Sequence, residues 1–324
     1  MILSTESIKS ITFGAIKVYE NEGKTLFSRF EGDPVEYYKT SGRSTASVML
    51  DFYTDSETLS LDYSVHKRID RNHAYFDLYE DEVMVSHFGK TLEKDESEYT
   101  GHFETSLGKG EKRIRLYFPN LFETRIISMS LDDGSTVRRS EKKKKLLMMG
   151  DSITHGYDAY FPSLSYANTV AREFDFDMIN QAIGGEMFRT KSLPEKTSLA
   201  PDYITVAYGT NDWSWSGKTL EECTNNAKEY FEKLVGLYKK SKIFYISPLY
   251  RGDEKRITTL GDFFEAVESF SEVARGFGCS VINGRELIPH DSLMFDDKYL
   301  HPNDLGFTQY AKALEKELRK LGVN

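Results

Sequence analysis

The chain has 324 residues, 39% of them hydrophobic and 29% charged, and a formal net charge of −9. That length holds two ordinary domains with real cores. The acidic balance, present in both halves, excludes the basic excess that binding to nucleic-acid phosphate requires, and no apolar run approaches the roughly 20 residues needed to cross a bilayer. The first residues, Met1-Ile-Leu-Ser-Thr-Glu6, carry no basic and then apolar leader pattern, so a cytoplasmic location is expected unless a leader has been removed.

Residues 1–137 read as strand after strand. Val48, Leu50 and Phe52 alternate with polar neighbours or face the opposite way, as do Leu59, Leu61, Tyr63 and Val65, then Ala74, Phe76 and Leu78, then Ile114, Leu116 and Phe118. A period of two marks half-buried antiparallel strands. Turn signals at Glu31-Gly-Asp-Pro34, Gly108-Lys-Gly110 and Asp132-Asp-Gly134 separate them. Seven or more short strands without helices predict a jelly-roll-like β-sandwich. Residues 138–145, ending in the charge run Lys142–Lys145, are expected to form a solvated linker.

From residue 146 to 324 the pattern changes. Leu146-Leu-Met-Met149 is wholly apolar, and similar runs follow at Tyr203–Ala207, Ile243–Ser247 and Cys279–Asn283. Such runs fill parallel strands buried on both faces. Helices lie between them. Thr219-Leu-Glu-Glu222 is a capping box ahead of Cys223, Ala227, Phe231, Leu234 and Leu237 on one face; Phe263, Val267, Phe270 and Ala274 repeat the pattern, stopped by Gly276 and Gly278. Alternating strands and helices predict a parallel sheet with helices on both faces, and ligands there gather at the carboxyl ends of the strands. Cys223 and Cys279 are expected to be buried thiols in a reducing compartment.

Four blocks stand where chemistry is expected. After the first parallel strand comes Gly150-Asp-Ser-Ile-Thr-His-Gly156, where a serine at a strand-to-helix turn projects its hydroxyl into the crevice with its own N–H nearby. After Met178-Ile-Asn180 comes Gln181-Ala-Ile-Gly-Gly185, and after the next strand Tyr208-Gly-Thr-Asn-Asp212. Leu300-His-Pro-Asn-Asp-Leu-Gly-Phe307 precedes a terminal helix.

In this order the blocks resemble the SGNH (GDSL-type) serine hydrolase family, over about residues 145–324. The resemblance implies a three-layer α/β/α fold with a five-stranded parallel sheet. It also implies Ser152 as nucleophile, His301 as general base, and the Ser152 and Gly185 amides with the Asn211 side chain as oxyanion donors. The family's carboxylate usually stands three residues before the histidine. Here that position is Lys298, with Asp297 four before and Asp296 five before. Either the loop holds one extra residue and Asp297 reaches the ring, or a backbone carbonyl takes that role in a Ser-His dyad.

A β-sandwich ahead of such a domain resembles two-domain carbohydrate acetylesterases, which implies a small-molecule or oligosaccharide ester as substrate. Trp213 and Trp215 are candidates to stack on a sugar, and Tyr250, in Tyr250-Arg251-Gly252, to bind a polar group. His155 is expected to be a loop residue, and His66, His73, His87, His102 and His290 form no ligand cluster. No metal or organic cofactor is implied, and the oligomeric state is left open. A lipid-type or thioester hydrolase, or an inactive carbohydrate-binding protein, are the alternatives.

Overall fold

The alternating segments do pair as antiparallel strands. The computed structural model describes residues 1–32 and 38–324, so the turn expected at Glu31-Gly-Asp-Pro34 lies partly outside the described residues. The chain divides into two compact units, Met1–Lys142 with Tyr160–Ser163, and Lys143–Ala159 with Leu164–Asn324.

The first unit opens with a helix that the strand pattern did not anticipate, α1 (Thr5–Ile11), capped by Ser4 and anchored through Ile8 and Ile11. Its strands are β1 (Thr12–Phe13), β2 (Lys17–Asn21), β3 (Lys24–Ser28), β4 (Met49–Thr54), β5 (Thr58–Lys67), β6 (His73–Glu80), β7 (Val83–Thr91), β8 (Glu98–Ser106), β9 (Lys112–Tyr117), β10 (Phe122–Leu131) and β11 (Arg138–Arg139). One sheet runs β1-β4-β9-β6-β7, with β11 also on β4; the other runs β2-β3-β10-β5-β8. The steps β4 to β5, β5 to β6, β8 to β9 and β9 to β10 each change sheet, as a jelly-roll-like sandwich requires. Aromatic rings fill the space between: Phe88 of one sheet stacks on Phe103 of the other at 3.6 Å, and Tyr63 meets Phe76 at 4.6 Å. Ring pairs of this kind add to the burial of their large apolar area.

The expected linker is not free. Arg138 and Arg139 pair with Tyr53 and Phe52 of β4, and Lys142 reaches the buried Asp51 carboxylate, which Arg113 also grips with two bonds of 2.8 Å. Burial alone would raise the Asp51 carboxyl, but Arg113 and Lys142 hold it below its ordinary value. A basic run reads as solvated only until a buried carboxylate claims one of its members. Tyr160–Ser163 also counts with this unit: Phe161 stacks on His87 at 4.0 Å, and the Ser163 amide donates to Asp77 at 2.8 Å.

The second unit is a parallel sheet in the order β13-β12-β14-β15-β16, built from β12 (Lys144–Gly150), β13 (Phe176–Asn180), β14 (Tyr203–Ala207), β15 (Lys242–Ile246) and β16 (Ser280–Ile282). Two short helices follow strand ends, α2 (Ser152–His155) and α4 (Thr210–Trp215). The longer ones are α3 (Tyr166–Glu173), α5 (Leu220–Leu237), α6 (Phe263–Gly276) and α7 (Asp304–Lys320). Leu146 and Met148 of β12 enter one core with α3 and α7, while Leu147 and Met149 enter the other with α5 and α6. That two-sided burial is why the run is apolar at every position, and it gives the expected three layers. Helix starts fall where the caps are: both bonds of the Thr219–Glu222 box form, and Asn303 caps α7 by accepting from the Gly306 amide at 3.0 Å.

Candidate active site

Strand β12 ends in Gly150, where a Cβ would lie 2.1 Å from Thr154 Oγ1. Only glycine lets the strand turn this tightly into α2. Asp151 caps α2 by accepting from the Ile153 amide at 3.0 Å, which puts Ser152 at the first helical position, where its own N–H has no partner within the helix. Ser152 Oγ lies 2.9 Å from His301 Nε2.

His301 sits two residues before the cap of α7. Its Nδ1 is 2.8 Å from Asp297 Oδ2. The other carboxylate oxygen, Oδ1, accepts from the amides of Tyr299, Leu300 and His301 at 3.0, 2.8 and 3.1 Å. The extra residue, Lys298, takes φ +73°, and this left-handed step folds the longer loop back so that Asp297 reaches the ring. Partial burial would raise the Asp297 carboxyl, but the bonds from His301 and from the Leu300 and Tyr299 amides hold it far below the usual carboxylate range. A second carboxylate that the sequence did not flag, Asp158, stands 4.0 Å from the same nitrogen, and Tyr157 stacks on the imidazole at 5.7 Å.

Gly185 takes φ +80°, open to glycine and strained for any other residue, and among the described residues its N–H has no partner. The turn that carries it is held by neighbours of Ser152: Asn180 donates to Thr154 O at 2.8 Å, and His155, fully buried at the end of α2 rather than in a loop, accepts from the Gly184 amide at 3.2 Å. Asn211, on α4, donates one Nδ2 hydrogen to Glu186 O at 2.9 Å, which leaves the second for a ligand. The structure therefore brings together Ser152, His301, Asp297, Gly185 and Asn211.

The aromatic candidates separate. Trp215 is 56% exposed, but Trp213 is 1% exposed and packs in the core, edge-on to Phe263 and under Arg251 and Arg256. Trp213 is thus no stacking surface for a sugar. Two positions along a helix are about 200° apart, so only one of the pair can face out. Tyr250 is engaged by His290 at 4.4 Å and by Phe295 and Arg285 rather than by any of the five site residues. Arg251 is buried and bonds Thr210, Ser214 and Asp253, so it braces α4 instead of offering its charge to a ligand.

Three buried carboxyls surround these loops. Burial pushes Asp151 up to about 6, Glu186 up to about 7 and Asp212 up to about 7. Among the described residues Glu186 Oε2 and Asp212 Oδ2 have no partner. A carboxyl with a raised folded pKa favours the fold fully below its unfolded value near 4, and that contribution is lost as pH rises through 7. The melting temperature is therefore expected to fall by about 5 °C or more between pH 5 and pH 8. Calorimetry of a Glu186→Gln, Asp212→Asn variant should show a flatter alkaline slope; an unchanged slope would remove these groups as its source.

Residues 148–308 match the profile of the GDSL-like Lipase/Acylhydrolase family. No curated protein matches the chain by sequence. Solved structures share the fold over nearly the whole chain. A salicylyl-acyltransferase from a tetracycline biosynthetic pathway superposes with a TM-score of 0.80 at 20% identity, over 96% of this chain and 94% of that one. An acetyl xylan esterase from the rumen bacterium Butyrivibrio proteoclasticus gives 0.66 at 15%, over 99% and 98%. A family two carbohydrate esterase from Clostridium thermocellum, in complex with cellohexaose, gives 0.66 at 16%, over 86% and 94%. The order of the four blocks, the parallel sheet that presents them and the profile match agree: the second unit of the chain carries the pattern of the GDSL-like lipase/acylhydrolase family.

Proposed function

We propose that the protein is a serine esterase that removes short O-acyl groups, acetyl above all, from a carbohydrate. The observation that carries this reading is the hydrogen-bonded series Ser152, His301, Asp297 with bonds of 2.9 and 2.8 Å. In the first step Ser152 Oγ attacks the ester carbonyl carbon while its proton passes to His301 Nε2. The Ser152 and Gly185 amides and Asn211 Nδ2 receive the developing oxyanion. Collapse breaks the bond to the sugar oxygen, which takes the proton from His301. Water then attacks the acyl carbon, gives a proton to His301, and the carboxylic acid leaves as Ser152 recovers its hydrogen.

Three features support the substrate class. Neighbours that are carbohydrate esterases share both the sandwich and the hydrolase unit. Trp215 offers an exposed ring beside Gly185. No helix among the described residues is long and apolar enough to cross a membrane. The free, buried Cys223 and Cys279 support a reducing, cytoplasmic setting.

The test is turnover of 4-nitrophenyl acetate, butyrate and octanoate beside acetate release from acetylated xylo-oligosaccharide, with fluorophosphonate labelling of Ser152. Acetyl preferred over octanoyl by about tenfold or more, with acetate released from the oligosaccharide, is the expected result. Faster octanoate turnover would favour a lipid-type hydrolase. Ester formation with an added alcohol in place of hydrolysis would favour an acyltransferase. No labelling and no turnover would leave a carbohydrate-binding protein.

A further inference from the structure

An asparagine amide serves as an oxyanion donor only if its nitrogen end faces the acyl oxygen, and nothing in the side chain's shape decides which end that is. In this protein two partners decide it. The Glu186 carbonyl can only accept, and it takes a hydrogen from Asn211 Nδ2 at 2.9 Å. The Trp215 indole can only donate, and its Nε1 gives a hydrogen to Asn211 Oδ1 at 3.1 Å. Asn211 and Trp215 are four apart on α4 and so share a face of that helix. The same indole approaches Gly185: a Cβ built there would lie 3.5 Å from Trp215 Cζ2 and 3.7 Å from Cη2. Trp215 thus bonds one of the residues assigned as oxyanion donors and lies beside another, while more than half of its surface remains exposed.

We infer that Trp215 is a positioning residue whose indole N–H holds the Asn211 amide with Nδ2 toward the acyl oxygen, a role distinct from offering a ring to the sugar. The inference rests on the esterase reading above. It explains why a large apolar ring stands at the surface with its one polar atom turned inward. Without the indole N–H, Oδ1 loses this donor, and among the described residues the bond to Glu186 O alone opposes rotation of the amide.

The experiment is a double-mutant cycle with Trp215→Phe and Asn211→Ala, read with 4-nitrophenyl acetate, a substrate that carries no sugar. Phenylalanine keeps an aromatic ring at an exposed position and removes the donor. Trp215→Phe is expected to lower kcat by about tenfold with KM changed less than about twofold, and Asn211→Ala to lower kcat by about 100-fold. In the Asn211→Ala background Trp215→Phe should then be silent, since its effect travels through the missing amide. Trp215→His, which retains a ring N–H, should recover part of the loss. A kcat unchanged by Trp215→Phe, a loss confined to KM, or equal losses with and without Asn211 would overturn the role. If Asn211→Ala itself costs nothing, or turnover does not depend on Ser152, the esterase reading fails and this role with it. Circular dichroism and melting curves for each variant separate these results from misfolding, and a folded Trp215→Phe with wild-type phosphorylation of Ser152 by diethyl 4-nitrophenyl phosphate would also overturn it.

Discussion

Alanine at Ser152 and alanine at His301 are each expected to lower kcat for 4-nitrophenyl acetate by about 10⁵–10⁶-fold, and the double variant by no more than either alone. The two residues are 149 positions apart in sequence and 2.9 Å apart in the fold. In the proposed mechanism they act as one device: without the base the hydroxyl keeps its proton, and without the hydroxyl the base has nothing to activate. The same mechanism leaves the turnover that Gly185, Asn211 and the α2 amide, as oxyanion donors, would still give to attack by water. Steady-state rates of the three variants decide the matter. More than about 1% of wild-type turnover in either single variant, or losses that multiply in the double variant, would show that Ser152 and His301 do not work as a pair.

The sheet and the nucleophile turn were legible in the sequence for a physical reason. A strand buried on both faces must be apolar at every position, so Leu146–Met149 announces itself, and the residues that follow it must lie at the ligand-binding end of the sheet. The capping box at Thr219 and the cap at Asn303 mark helix starts through the orphan amides they satisfy. Alternation in residues 1–137 likewise pointed to the sandwich, though α1 is only seven residues long and buries just Ile8 and Ile11, too little for a helical period to show.

Other features depend on contacts that no local pattern records. A run of four lysines reads as solvated, and for Lys142 that reading fails because Asp51, some ninety residues earlier, is buried with room for a second cation beside Arg113. Nothing in the local sequence marks Glu186, Asp212 and Asp151 as buried; the packed loops put them out of water and raise them toward neutrality. Trp213 and Trp215 could not be separated from sequence, since residues two apart face opposite ways only where the chain is helical, as Thr210–Trp215 is. The signal that was missing was the helix itself, a six-residue element entered through Gly209 at φ +116°.

Asp297→Asn is expected to lower kcat by about 10³–10⁴-fold while the protein stays folded, because the substitution changes which imidazole nitrogen carries the proton. The amide oxygen of the new side chain can still accept from the backbone N–H groups of Tyr299, Leu300 and His301, so the loop keeps its path. The amide nitrogen would then stand as a donor where Asp297 Oδ2 now lies, 2.8 Å from His301 Nδ1. That requires Nδ1 to accept, which moves the ring proton to Nε2, the atom that must take the proton of Ser152. Asp158 is the competing acceptor, 4.0 Å from Nδ1 and beyond direct hydrogen-bond reach. Asp158→Asn is therefore expected to cost less than about tenfold. Should the two results be exchanged, with Asp297→Asn mild and Asp158→Asn severe, Asp158 would be the residue that orients the histidine. If neither exceeds about tenfold while His301→Ala is inactive, the site runs on the Ser-His pair alone. The geometry favours Asp297, which meets the ring through one oxygen and fixes its own position through three amides on the other.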